Sequence, residues 1–138
     1  MESIFLRGPS ETAAEFPRVR HLFERVTNEA AKGEFTVQDL ERLAGEGRII
    51  VGVALLANTP VLAVALEFIH YPQYTVMNVV ALAGEQLPAV MQAFWPALRE
   101  YAREAGATHI QASCSPAMAR LLAKYGFEET YRTIRSKL

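Results

Sequence analysis

Two side chains in the stretch LEFIHYPQY, Glu67 and His70, are of types that move protons. A carboxylate or imidazole within hydrogen-bond reach of an acidic proton can act as a general base, and histidine titrates near neutral pH unaided. Their spacing argues against a shared task, because residues three apart on a strand face opposite sides. A solvated face, or a polar pair that satisfies itself, accounts for them equally well. Cys114 is the only cysteine. At a strand end it could be a nucleophile, but a lone cysteine on an apolar face is usually a small core residue. Tyr125 brings a phenol to a helix end, where a core or C-cap position explains it. Ser115 has a complete local duty as a helix N-cap. His21, His70 and His109 lie far apart, and none stands at metal-ligand spacing with the cysteine, so no metal site is expected.

Those groups need a scaffold, and the apolar periodicity describes one. SIFLR, Ser3 to Arg7, reads as a first strand ended by Gly8-Pro9. The spacing of Val19, Leu22, Phe23, Val26 and Ala30 predicts a helix from Pro17 to Lys32, stopped at Gly33. Thr36, with Asp39 three residues on, predicts a capped second helix whose stripe is Val37, Leu40, Leu43 and Ala44. Strands are expected over 48–57, 61–71 and 75–82. The apolar run from Ile49 to Leu66 has the look of a membrane span, but Asn58, Thr59 and Pro60 break it into a hairpin. YTVMNVVALAG is apolar on both faces, which suits a central strand.

After Gly84 a helical stripe runs from Leu87 to Ala105, in which Pro96 either makes a kink or marks the true start. Gly106 ends it. THIQASC alternates and reads as a half-buried strand, joined to the strand at 75–82 by a right-handed parallel crossover. Ser115 and Pro116 open a last helix with Met118, Leu121, Leu122 and Tyr125 on its stripe. Gly126 closes it, and FEETYRTI is expected to form a final strand.

With 138 residues, 51% of them hydrophobic and 21% charged, the chain is expected to be one folded domain over 1–138. A formal net charge of −1, with basic residues scattered, predicts no general attraction to nucleic acid or to an anionic membrane. A single cysteine permits no intrachain disulfide and suits a reducing compartment. The opening MESIFLRGPSE lacks the basic start and long apolar core of a signal peptide. The cytoplasm is therefore the expected location.

The resulting order, β-α-α-β-β-β-α-β-α-β, together with the length and the closing ARLLAKYGFEE (Ala119 to Glu129), resembles the GNAT acyltransferase superfamily. The resemblance implies a mixed α/β fold: a central twisted mixed sheet of six to seven strands with four helices. It covers nearly the whole chain in element order and the C-terminal third in detail. More narrowly, Ala81 to Ala112 is similar to compact GNAT-like proteins of tailed bacteriophages, some encoded among virion genes and without established activity.

The resemblance also implies a cofactor, acetyl-CoA, an amine-bearing acceptor, and places for the cofactor on this sequence. The pantetheine arm would pair along Val79, Val80 and Ala81. The diphosphate would sit on backbone N–H groups where that strand turns into the long helix. The family pattern there is Arg or Gln, two residues, Gly, one residue, then Gly or Ala, and it falls on Gln86, Ala89 and Met91, with Val90 between. Gln86 fits, Ala89 departs tolerably, and Met91 does not, since a long side chain hinders close approach of backbone to phosphate. Pro88 removes one N–H, Glu85 adds a negative charge, and from Ala83 to Leu98 there is no Lys or Arg.

Losing two donors would cost about 3–6 kcal/mol, roughly a hundred- to ten-thousand-fold in affinity. Acetyl-CoA binding is thus expected to be weak or absent, unless a register using Gly84 restores part of it. The family's thiolate-protonating Tyr falls on Leu122. Its base, often a Glu on the middle strands, leaves Glu67 and His70 as candidates, because Asn78 cannot be one. Two readings stay open. One is an acetyl-CoA-dependent N-acetyltransferase of the bacterial cytoplasm. The other is a GNAT-shaped protein with a degenerate site that binds a phage or host protein, in the cytoplasm or in a virion. The lack of a basic stripe speaks against a DNA-modifying enzyme.

Overall fold

Asn58 turns the chain as its residue type predicts. Ala57 and Asn58 take φ values of 50° and 64°, the left-handed pair of a two-residue turn whose twist matches its flanking strands. The apolar run from Ile49 to Leu66 becomes the middle of a sheet. In the computed structural model, which describes residues 1–29 and 32–138, that sheet has the order β1 (Glu2–Leu6), β2 (Ile50–Leu56), β3 (Thr59–His70), β4 (Thr75–Gly84) and β5 (His109–Ala112). Neighbours pair antiparallel except β4 and β5, which run parallel. Among the described residues no helix is long and apolar enough to cross a membrane.

Helices cover both faces. α1 (Pro9–Glu29) and α2 (Val37–Gly45) lie on one, and α3 (Leu87–Glu104) and α4 (Pro116–Ala123) on the other. Under α1, residues Phe16, Val19 and Phe23 meet Ala63 and Ala65 of β3 and Ala81 and Ala83 of β4. The small side chains let the helix lie close to the sheet. On the opposite face, Met91, Phe94 and Leu98 of α3 pack on Leu62, Leu66 and Met77. Full burial of each such side chain contributes about 1.5–3 kcal/mol. The expected caps form. Thr36 and Asp39 bond each other's backbone N–H at the start of α2, and Ser115 accepts from the Met118 amide at the start of α4.

Three expectations are corrected. The first helix begins at Pro9, not Pro17. Pro9 takes the first position after Gly8, where its missing N–H costs nothing. Pro17 then sits inside on the exposed side, and the buried stripe beneath outweighs the one backbone bond that it removes. Ala30, counted in that stripe, lies outside the described residues. α3 likewise starts at Leu87 and runs through Pro96.

The sheet has five strands, not six to seven, because FEETYRTI forms none. Phe127 finds apolar cover on Trp95, at 5.5 Å between ring centroids, but Tyr131 and Ile134 are each 92% exposed. Strand propensity reflects packing on a pleated surface more than backbone preference, and that packing is missing here.

Candidate functional site

β4 pairs with β3 along its whole length, from His70↔Thr75 to Leu62↔Gly84. With β5 it pairs only from Val76↔His109 to Val79↔Ala112. Beyond Val79 it runs on to Gly84 without a β5 partner, so the two parallel strands part and leave a cleft. A bulge marks the parting. The register with β3 steps from Ala65↔Ala81 to Leu66↔Val79, leaving Val80 unopposed. Val80 and Ala81 therefore both point into the α1–α2 layer, while Val79 and Leu82 point into the α3–α4 layer. Such a bulge bends its strand and increases its twist.

The ladder also says which peptide groups face the cleft. The Glu85 amide donates to the Val61 carbonyl at 3.3 Å. Antiparallel pairs alternate between bonded and unbonded. Ala83 and Ala81 accordingly spend their peptide groups on β3, whereas Leu82 and Gly84 direct theirs toward the cleft. Of the residues expected to pair with a pantetheine arm, Val79 is still opposite Ala112, Val80 is the bulge, and Ala81 is engaged with β3. Leu82, which the family pattern did not mark, has the free edge.

At the end of β4 the chain enters α3 through Gln86, whose φ of 51° and ψ of 44° are left-handed and whose side chain makes no capping bond. The amides of Ala89 and Val90 both donate to the Gln86 carbonyl, at 3.1 Å. Among the described residues, those of Gln86 and Leu87 have no acceptor, and Pro88 has no N–H to offer. Met91 is 1% exposed and lies in the core, so its side chain leaves the outer surface of the loop clear. Gly84 serves a different end from phosphate approach. A Cβ there would come within 2.6 Å of the Val61 carbonyl oxygen, so its missing side chain is used by β3.

Charge reaches the loop from elsewhere. A shallow depression of about 400 Å³ at the first turns of α3 is lined by Pro88, Ala89, Gln92, Lys124 and Tyr125. Lys124 comes from the end of α4. Arg25 of α1 pairs with Glu85 at 3.4 Å and offsets the carboxylate in the loop. Two free amides beside an ammonium group are a donor set that suits a diphosphate.

Glu67 and Asn78 stand directly opposite each other, half-buried on the sheet face that carries α1 and α2. The Asn78 amide donates to the Glu67 carboxylate at 2.9 Å. This pair lies one residue from Val79, where the cleft opens. His70 is on the other face, exposed, with its Nδ1 3.0 Å from Thr75 Oγ1. Four residues of β4 separate Thr75 from Val79, about 13 Å of strand, so the structure does not bring Glu67 and His70 together. Leu122, at 5% exposure, is part of the core. Tyr125 lies against Trp95 with centroids 5.4 Å apart while also lining the depression. Cys114 lies just past β5, and desolvation of its sulfur pushes the thiol above its ordinary pKa, which lowers its nucleophilic fraction. Burial also raises the Tyr101 phenol, against the opposing pull of the Arg7 guanidinium. Tyr101 stacks on Phe5 at 4.2 Å and belongs to the packing of α3.

No protein-family model matches the chain, and no curated protein matches it in sequence. Solved structures do match in fold. A probable acetyltransferase superposes with a TM-score of 0.76 at 14% identity, covering 100% of this chain and 97% of that one. An aminoglycoside acetyltransferase from an uncultured soil metagenomic sample, in complex with sisomicin, gives 0.72 at 18% identity, with coverage of 99% and 95%. An aminoglycoside N-acetyltransferase in complex with CoA gives 0.72 at 12% identity, covering 99% and 98%. The fold is the mixed α/β fold of the GNAT acetyltransferases.

Proposed function

We propose that this protein is an acyl-CoA-dependent N-acyltransferase, with acetyl-CoA as donor and an amine as acceptor. The observation that carries this reading is the parting of β4 from β5 after Val79, directly before the open N-terminus of α3. The peptide groups of Leu82 and Gly84 would hold an amide-bearing arm in the manner of an added strand. The Gln86 and Leu87 amides, with Lys124, would hold its diphosphate. Bound there, acetyl-CoA supplies an acetyl group activated as a thioester.

The chain's own part is to position the amine and take its proton. Glu67 is the group placed for this, directly or through one water, and the Asn78 bond fixes one carboxylate oxygen while leaving the other free. His70 is too distant along the strand to share the task.

A second reading draws on Leu122. An apolar side chain stands where the family places a Tyr, and it has no proton for a departing thiolate. On that reading the site is degenerate, and the chain binds a phage or host protein without turnover, for example as a virion component. Calorimetry with acetyl-CoA and CoA, followed by a thiol-release assay over a panel of amines that includes sisomicin, separates the two. Micromolar binding with thiol release supports the enzyme. Binding without release for any amine supports the second reading, and no binding at millimolar ligand removes the first.

A further inference from the structure

The outer edge of β5 and the segment from Phe127 to Leu138 lack the same thing. β5 ends the sheet order, and among the described residues nothing pairs with its outer side. Its Ile110 and Ala112 are only half-buried. An open strand edge of this kind is a template for another strand. The segment is strand-like in composition yet takes no regular structure. Its Tyr131 and Ile134 are each 92% exposed, and Leu138 is bare.

Within its own chain the segment is held at two points. Phe127 packs on Trp95 in the α3–α4 layer, and Arg135 pairs with Glu34 between α1 and α2, on the opposite layer. The residues between take no ladder bond to their own β5. Gly126, at a φ of +86°, is the pivot between α4 and this segment.

We propose that residues 127–138 of one copy add as a strand to the free β5 edge of a second copy, the two copies exchanging segments reciprocally about a two-fold axis. Exchange gives the exposed edge its ladder and gives the segment a pleated surface. Period-two alternation sets Tyr131 and Ile134 on opposite faces, one toward each helical layer. Because β5 is one wall of the cleft, the added strand would buttress it. The inference rests on the sheet edge and the segment alone, not on the acyltransferase reading.

The test combines sedimentation velocity with amide hydrogen exchange over a concentration series of the full chain. The expected result is a dimer, with protection of amides 128–134 and of β5 rising in step with the dimer fraction. Ile134→Asp should weaken dimerisation by at least about tenfold and leave the monomer's thermal midpoint unchanged, since Ile134 is bare there. A monomer at every concentration overturns the proposal, whether or not 128–134 is protected. So does a dimer whose 128–134 amides stay unprotected, or one indifferent to Ile134→Asp.

Discussion

Replacing Lys124 with methionine is expected to weaken CoA binding by roughly 5- to 30-fold. Lys124 is the one Lys or Arg among the residues lining the depression at the start of α3. A hydrogen bond to a fully charged partner contributes about 1.5–3 kcal/mol, and an exposed ion pair about 0.2–1 kcal/mol. A half-open depression lies between these limits, so about 1–2 kcal/mol is taken, and each 1.4 kcal/mol is tenfold in affinity. The substitution has a side effect. Lys124 is the C-cap of α4, and loss of a cation there costs about 0.3–1 kcal/mol of stability through the helix dipole. Arg120→Met removes a cation from the same last turn without touching the depression, and serves as the control. Calorimetry with CoA and with pantetheine, which lacks the phosphates, gives the readout. The chain's single tryptophan offers a second, since Trp95 lies against Tyr125. Three results refute the assignment: CoA affinity unchanged in Lys124→Met, an equal loss for pantetheine, or an equal loss in Arg120→Met.

Glu67→Gln should lower kcat by about a hundredfold while leaving CoA affinity unchanged, measured by thiol release beside calorimetry. Gly84→Ala forces a Cβ to within 2.6 Å of the Val61 carbonyl oxygen. Backbone must shift, at a cost of about 1–3 kcal/mol, and the thermal midpoint should fall by roughly 3–10 °C. Phe94→Ala empties a site that is fully buried and should cost about 3–5 kcal/mol, read from the urea midpoint. Asp39 is held below the ordinary carboxylate pKa first by the Thr36 amide, then by the Thr36 hydroxyl and by Arg42. A lowered folded pKa stabilises the fold above the unfolded value and loses that contribution as pH falls through the folded one. The difference in thermal midpoint between wild type and Asp39→Asn should therefore be full at pH 6 and shrink progressively below the model value of 3.8.

The features legible in the sequence were local ones. The Thr36–Asp39 box, the Ser115 cap, the turn at Asn58 and the stripes of α2 and α3 each depend on residues a few positions apart, so their physics is complete within a short window. The parallel crossover followed from element order and chain handedness. Other features required the packed molecule. Pro17 reads as a helix start, but the stripe from Phe16 to Phe23 packs on the sheet and carries α1 through it. FEETYRTI has the residues of a strand, and what it lacks is a surface, which no property of its own residues reports. The bulge at Val80 is a mismatch between two strands and belongs to neither alone. Lys124 is far in sequence from the loop, and only the packing of α4 against the start of α3 puts its charge there. Residue types and spacings thus determined the elements and their order. Long-range packing decided which peptide groups, cations and carboxylates share a space, because contacts between distant segments are settled by shape and burial.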